Sequence, residues 1–124
     1  MKNLKILIID DERAILDVVK ASLEIVVQWE VLTASSGQEG REKALRQQPD
    51  LILLDVMMPD VDGLALLNQL RYDPLTQKIP VILLTGKSNM IDETDYDSLN
   101  IIGIIPKPFN PLELAQEITQ LVTF

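Results

Sequence analysis

The sequence predicts an α/β fold, in which helices cover both faces of one doubly wound parallel sheet of five strands. Short apolar runs alternate with longer amphipathic segments, and five such repeats fill the 124 residues. This alternation is typical of βαβ units around a parallel sheet. Because a chain of this length with 47% hydrophobic residues can bury one ordinary core, we expect a single domain over residues 1–124.

The predicted strands are rich in Ile, Val and Leu and show no alternation of apolar and polar residues. Strands that are covered on both faces need such continuous apolar runs. The predicted strands are residues 4–9, 30–34, 51–54, 81–84 and 101–105.

The first predicted helix covers residues 12–26 and has a broad apolar side, opposite charged residues at four-residue spacing. The members of its inner stripe are Leu16, Val19, Leu23 and Val26. Further apolar residues make the arc wider than packing on a sheet requires. They are Ala14, Val18, Ala21 and Ile25. We interpret the wide arc as a well-buried helix, and the alternative is a face that docks a partner.

Helix caps predict where the other helices begin. A second helix follows Ser36, and a third follows Asp62, which we expect to cap it. The last helix is predicted to open with Asn110 as its cap and Pro111 in its first turn. A helix within residues 88–99 is expected to be short, because that segment carries four acidic residues, no basic residue and a thin apolar stripe.

Composition excludes several functions. The formal net charge of −8 argues against direct binding to nucleic acid or to anionic lipid, since both would be repelled. The apolar runs are too short to span a membrane, and the absence of cysteine excludes disulfides and thiolate metal sites, so we expect a cytoplasmic protein. Histidine is absent as well, so no phosphohistidine can form on this chain.

Polar side chains follow four of the five predicted strands. Asp10 and Asp11 follow the first, Asp55 the third, Thr85 the fourth and Lys107 the fifth. Because ligands of doubly wound folds bind outside the carboxyl ends of the strands, we expect these side chains to form one site. Each residue alone has an ordinary explanation as a helix cap, a turn residue or a solvated lysine.

Three neighbouring carboxylates repel one another unless a cation neutralises them, and an all-oxygen cluster favours Mg²⁺. A carboxylate in such a site can act as a nucleophile toward phosphorus, while the metal and a lysine offset charge on the phosphoryl oxygens. Lys107 would supply that charge and Thr85 a hydroxyl donor.

Four motifs carry a resemblance to a known family. They are DD at Asp10, DVMMPDVDG at Asp55, LLTG ending at Gly86 and KPF at Lys107. Their order and their spacing of 44, 30 and 22 residues, counted from Asp11 through Asp55 and Thr85 to Lys107, resemble the receiver domain of bacterial two-component response regulators over the whole chain. The resemblance implies the flavodoxin-like strand order 2-1-3-4-5.

The resemblance also implies a function. Asp55 would accept a phosphoryl group from the phosphohistidine of a sensor histidine kinase or a histidine phosphotransfer protein. Mg²⁺ would be held by Asp11, Asp55 and the main-chain carbonyl of Met57, with Asp10 acting through water.

The resemblance further implies that Thr85 and Lys107 contact the phosphoryl group, and that the peptide bond between Lys107 and Pro108 is cis. Phosphorylation would then change a protein-binding surface around the predicted fourth helix, fifth strand and fifth helix. This chain differs from the family pattern at Ile104, where an aromatic residue is usual, which leaves open how phosphorylation would reach that surface.

Three functions remain open from the sequence. We favour a phosphorylation-controlled, stand-alone receiver, since the chain ends with its predicted fifth helix. A constitutive docking scaffold with an inactive switch is favoured by Ile104. A Mg²⁺-dependent aspartyl-phosphate phosphatase is disfavoured, because such enzymes usually place a second aspartate two residues after the nucleophile, where this chain has Met57.

Overall fold

Five parallel strands form one sheet in the computed structural model, which describes residues 3–56, 63–86 and 99–122. The strands are β1 (Lys5–Ile9), β2 (Glu30–Ala34), β3 (Leu51–Asp55), β4 (Val81–Thr85) and β5 (Ile101–Pro106). Their order across the sheet is β2-β1-β3-β4-β5, with all neighbouring pairs parallel. The predicted fold class and strand order are confirmed.

Four helices lie among the described residues. They are α1 (Arg13–Val26), α2 (Gly37–Gln47), α3 (Gly63–Tyr72) and α4 (Leu114–Leu121). The element α4 corresponds to the last helix predicted from the sequence. The predictions for residues 88–99 and for Asp62 as a cap lie outside the described residues.

The sheet separates two apolar cores. On one side, Leu16, Val19 and Leu23 of α1 and Leu114 and Ile118 of α4 pack on alternate strand residues. On the other side, the buried residues of α3 pack on the intervening strand residues; they are Leu66, Leu67 and Leu70. All residues of β3 and β4 are buried, as continuous apolar strands covered on both faces require.

The broad arc of α1 is only partly buried, so the interpretation of a well-buried helix is wrong. Ala14, Val18, Ala21 and Ile25 are exposed, with Ile25 at 78%. Val26 of the predicted inner stripe is also 51% exposed, at the last residue of the helix. A helix on a sheet buries one stripe, and the rest of a wide arc faces away from it.

The start of α4 also differs from the prediction. Asn110 does not cap the helix itself; its side chain accepts a hydrogen bond from the backbone N–H of Leu112, at 2.9 Å. The N–H of Glu113 bonds to the carbonyl of Asn110, at 3.0 Å, so residues 110–113 form a tight turn, and the regular helix begins at Leu114. Asparagine favours both arrangements, because its side chain bonds the backbone two residues on in turns as in caps.

Local interactions at the other helices follow the sequence. Ser36 caps α2 by accepting the N–H of Glu39, at 3.1 Å, and the Glu39 carboxylate accepts the N–H of Ser35, at 2.7 Å. Lys20 and Glu24 form the expected i,i+4 ion pair on α1, at 2.8 Å.

None of the helices within the described ranges is long and apolar enough to span a membrane.

Candidate functional site

The carboxyl edge of the sheet gathers the polar residues that follow the strands. Asp55 and Thr85 are the last residues of β3 and β4, while Asp10 and Lys107 directly follow β1 and β5. The backbone N–H of Lys107 bonds to the carbonyl of Thr85, at 2.9 Å, which fixes the two strand ends side by side. The structure therefore brings these residues together, as the positions of the strands predict.

Three carboxylates converge at this edge. Asp10, Asp11 and Asp55 each offer one oxygen, and the three oxygens lie within 4.8 Å of one another. Asp10 and Asp55 are buried, at 0% and 2% exposure, while Asp11 is exposed. The cluster is thus anchored in the protein on one side and accessible from solvent at Asp11.

Lys107 provides a positive charge to the cluster. Its ammonium lies 2.8 Å from Asp10 Oδ2 and 3.3 Å from Asp55 Oδ2. Glu12 Oε1 lies 3.9 Å from the same ammonium. Asp10 is held further by the backbone N–H of Glu12, which donates to Oδ1 at 2.9 Å. One ammonium therefore links the carboxylates that end β1 and β3.

Burial and charge shift the pKa values of this pair. Burial raises the pKa of Asp10 above its ordinary value; the hydrogen bonds from Lys107 and Glu12 oppose that shift, and the negative charge of Asp55 adds to it. Burial alone would lower the pKa of Lys107, but the hydrogen bonds and charges of Asp10 and Asp55 outweigh it, so the pKa of Lys107 is raised. Lys107 is therefore charged at neutral pH.

The donor set fits a hard divalent cation. Three carboxylates present oxygen ligands, which Mg²⁺ prefers, and a second source of positive charge besides Lys107 would relieve their repulsion. Met57, predicted to supply a carbonyl ligand, lies outside the described residues. The peptide bond between Lys107 and Pro108 is cis, as the resemblance implied.

Glu12 was not singled out from the sequence as a residue of this site. It directly follows Asp10-Asp11, and its backbone N–H contacts Asp10 while its carboxylate approaches Lys107. The signal that could have indicated it is its position between the acidic pair and the first helix, where an N-cap residue turns back toward the strand end.

The fold and this edge define the class of doubly wound α/β proteins that carry a carboxylate pocket with a lysine at the carboxyl ends of the strands. The family model of the response regulator receiver domain matches residues 6–119. The chain therefore belongs to the response regulator receiver domain family, whose members are signalling domains.

Curated relatives are regulators. PhoP of Bacillus subtilis, an alkaline phosphatase synthesis transcriptional regulatory protein, is 37% identical over 120 residues, covering 97% of this chain and 49% of PhoP. RpaA of Synechocystis, a DNA-binding dual master transcriptional regulator, is 37% identical over 118 residues, covering 95% of this chain and 48% of RpaA. The chain thus spans about half the length of these relatives.

Solved structures share the fold. The chemotaxis response regulator CheY4 of Vibrio cholerae superposes with a TM-score of 0.85 at 27% identity, covering 98% of this chain and 100% of CheY4. The N-terminal domain of a response regulator receiver protein from Methanoculleus marisnigri gives a TM-score of 0.78 at 34% identity, over 99% of each chain.

Proposed function

We propose that this chain is a phosphoacceptor, in which Asp55 takes a phosphoryl group from a phosphohistidine on a sensor histidine kinase or a histidine phosphotransfer protein. The observation that carries the proposal is the placement of Asp55, a residue that is 2% exposed and whose Oδ2 lies 3.3 Å from the Lys107 ammonium. A buried carboxylate beside a fixed cation can attack phosphorus while the cation offsets the charge on the phosphoryl oxygens.

The residues around Asp55 would have separate roles in the transfer. Lys107 would pair with an equatorial phosphoryl oxygen, since its ammonium already lies between Asp10 and Asp55. Thr85, buried at 3% exposure at the end of the neighbouring strand, would donate its hydroxyl to the same group. These contacts would strengthen only after Asp55 is modified, which gives the domain two states.

We propose Asp11, Asp55 and the main-chain carbonyl of Met57 as Mg²⁺ ligands, with Asp10 acting through water. The support is the approach of three carboxylate oxygens to within 4.8 Å. When bound, Mg²⁺ would neutralise charge on the transferring phosphoryl group. Asp10 would contribute in addition by orienting Lys107 through the 2.8 Å ion pair.

Intact-mass spectrometry tests the phosphoacceptor proposal. With Mg²⁺ and acetyl phosphate, the protein should gain the mass of one phosphoryl group, and Asp55→Asn should abolish the gain because an amide cannot act as the nucleophile. Asp17→Asn, on the exposed side of α1, is the matched control and should react like the parent. An unchanged mass, or a gain that survives in Asp55→Asn, contradicts the proposal.

The proposed reaction is self-limited rather than a turnover of external substrate. The domain would catalyse only its own phosphorylation by activated donors and its own dephosphorylation, so a panel of ordinary phosphate esters, whose alcohols are poor leaving groups, should release no product above the background without protein. Multiple turnover on a phosphate ester would favour a phosphatase instead.

A second candidate is a constitutive docking scaffold, and Ile104 is the observation that favours it. Ile104 is partly buried and packs against the core on the α2–α3 side of the sheet. An aliphatic β-branched side chain has few rotamers with which to report a change at Thr85. If the protein is a constitutive scaffold, the rates of amide hydrogen exchange in β5 and α4 should be the same before and after phosphorylation of Asp55. If the protein is a switch, phosphorylation should alter these rates.

A further inference from the structure

The strand β2 stands at one end of the strand order and pairs with β1, so its other side is an edge of the sheet. Its first and last residues, Glu30 and Ala34, bond to the chain at the two ends of β1. The N–H and C=O of one residue in a strand point the same way, and successive residues point opposite ways. The backbone groups of Val31 and Thr33 therefore face away from β1, toward the edge.

An ion pair on α1 reaches the first of these residues. The Lys20 ammonium donates to the carbonyl of Val31, at 3.0 Å, and pairs with the Glu24 carboxylate, at 2.8 Å. The pKa of Glu24 is lowered, chiefly by the hydrogen bond from Lys20 and to a smaller extent by the backbone N–H of Val31. Both members of the ion pair therefore face the edge at Val31.

An ion pair on α2 reaches the next outward-facing residues. The Lys43 ammonium donates to the carbonyl of Thr33 and lies 3.3 Å from the Glu39 carboxylate. Glu39 Oε1 accepts the backbone N–H of Ser35, at 2.7 Å. Since α1 and α2 pack on opposite faces of the sheet, the two ion pairs approach the β2 edge from both sides.

Together the two ion pairs supply what a neighbouring strand would supply, namely donors for the outward carbonyls and acceptors for the outward N–H groups. An open edge can pair with a strand of another chain, and charged side chains, lysine above all, prevent this. The four side chains are 37–47% exposed, and exposed ion pairs contribute little to the stability of a fold. Covering the edge therefore explains their placement better than stability does.

We propose that the β2 edge is a strand-pairing surface for a second copy of this chain, and that the ion pairs Lys20–Glu24 and Lys43–Glu39 keep it closed. Antiparallel pairing of two β2 edges about a two-fold axis at Leu32 places Val31 opposite Thr33 of the second copy. In that register the N–H of each residue meets the C=O of the other, so the edge is complementary to itself. The pairing needs the carbonyls that the lysines occupy. The inference does not depend on the role of Asp55.

Lys20→Met combined with Lys43→Met opens the edge in the full chain, because methionine keeps an unbranched side chain and removes the charge and the donors. Analytical ultracentrifugation over a concentration series measures the Kd of the dimer. The double variant should lower that Kd by about tenfold or more, since two carbonyls in each copy are freed to accept backbone N–H groups.

Two matched controls separate the edge from net charge. Arg13→Met combined with Arg41→Met removes the same charge from exposed positions on the same two helices, and should leave the Kd of the parent unchanged. Lys20→Arg combined with Lys43→Arg keeps a donor at each carbonyl, and should also behave like the parent.

Two further measurements locate the contact. Amide hydrogen exchange of Val31 and Thr33 in the lysine-to-methionine variant should slow as the protein concentration rises. Adding Thr33→Pro to that variant removes an outward N–H without loss of a bond to β1, so it should restore the monomer. If the proline variant fails to fold, the exchange at Val31 and Thr33 decides.

Three outcomes would overturn the inference. The first is a lysine-to-methionine variant whose Kd equals that of the parent or of the arginine control. The second is a dimer in which Val31 and Thr33 exchange as in the monomer, or which persists with a folded Thr33→Pro variant, since it would use another surface. The third is loss of the fold in the lysine-to-methionine variant, seen by circular dichroism, because the ion pairs would then serve stability.

Discussion

Lys107 connects most of the chemistry of this chain, because its ammonium lies within 4 Å of Asp10, Asp55 and Glu12. Asp10 is fully buried, and burial is the main cause that raises its pKa. A buried carboxylate with a raised pKa destabilises the folded state when it is ionised, so function rather than stability explains its presence. The ionised Asp10 should therefore lower the free energy of unfolding at neutral pH.

Asp10→Asn should raise the free energy of unfolding at pH 7 in the absence of divalent ions. The folded-state pKa of Asp10 is raised above its ordinary value of 3.8, so the folded state binds the proton more tightly than the unfolded state does. The stabilisation due to this proton is fully present below the ordinary pKa. It is lost as the pH rises through the folded-state pKa. The neutral amide removes that loss, so its advantage should be large at pH 7 and should shrink toward pH 4.

Urea unfolding of the parent and Asp10→Asn across this pH range measures the difference, with Asp17→Asn as an exposed control on α1. A pH-independent gain, or a loss at pH 7, would mean that the pairing with Lys107 outweighs the burial of Asp10.

At the level of elements, the start of α3 makes a close backbone contact with the chain directly after Asp55. Gly63, the first residue of α3, lies against Val56, the residue after Asp55. A Cβ atom at Gly63 would lie 2.7 Å from the Cα of Val56, closer than such atoms approach, so the backbone would have to move. Glycine at this position therefore lets α3 begin directly beside the end of β3.

Gly63→Ala should destabilise the protein by about 2 kcal/mol and slow phosphorylation of Asp55, because relief of the contact displaces Val56. Gly86→Ala is the control, since an added Cβ there meets nothing within 4 Å. Thermal unfolding and the rate with acetyl phosphate measure both effects. Equal effects of the two substitutions would show that the contact with Val56 does not matter.

Arg71 at the end of α3 holds a second set of loops. Its guanidinium donates to four backbone carbonyls, those of Leu99 at 2.6 Å, Thr76 at 3.0 Å, Gln77 at 3.1 Å and Ile79 at 2.8 Å. These bonds tie the segment before β4 to the segment before β5. The planar fork of arginine suits several carbonyls at once, which the single ammonium of lysine does not.

Arg71→Ala should lower the free energy of unfolding by about 3 kcal/mol, because charged hydrogen bonds are lost and carbonyls are left without their donors. Arg71→Lys keeps the charge and should recover only part of the loss. Chemical denaturation compares the three proteins. Full recovery by lysine would assign the effect to charge rather than to the fork of hydrogen bonds.

At the scale of the whole molecule, the strands and the site residues at their ends could be predicted from sequence. Continuous apolar runs identify buried parallel strands, and parallel strands bring their carboxyl ends to one edge. The convergence of Asp10, Asp55, Thr85 and Lys107 at that edge therefore followed from their positions alone. Local caps such as Ser36 were also predictable, because their interactions span only a few residues.

Features that depend on tertiary packing could not be predicted. The exposure of Val18 and Ile25 depends on how much of α1 the sheet and α4 cover, which periodicity does not state. Asn110 suits a turn as well as a cap, so the start of α4 was ambiguous. The contacts of Glu12 with Lys107 and of Arg71 with Leu99 join residues far apart in the chain.

Locating the phosphoryl group in the phosphorylated protein tests the proposed role of Asp55 without any intermediate assumption. Borohydride reduction converts an aspartyl phosphate to homoserine, which tandem mass spectrometry of peptides can assign to a position. After reaction with a phosphodonor and Mg²⁺, we expect homoserine at position 55 and at no other aspartate. Homoserine at position 10 or 11 instead, or no homoserine at all, would contradict it.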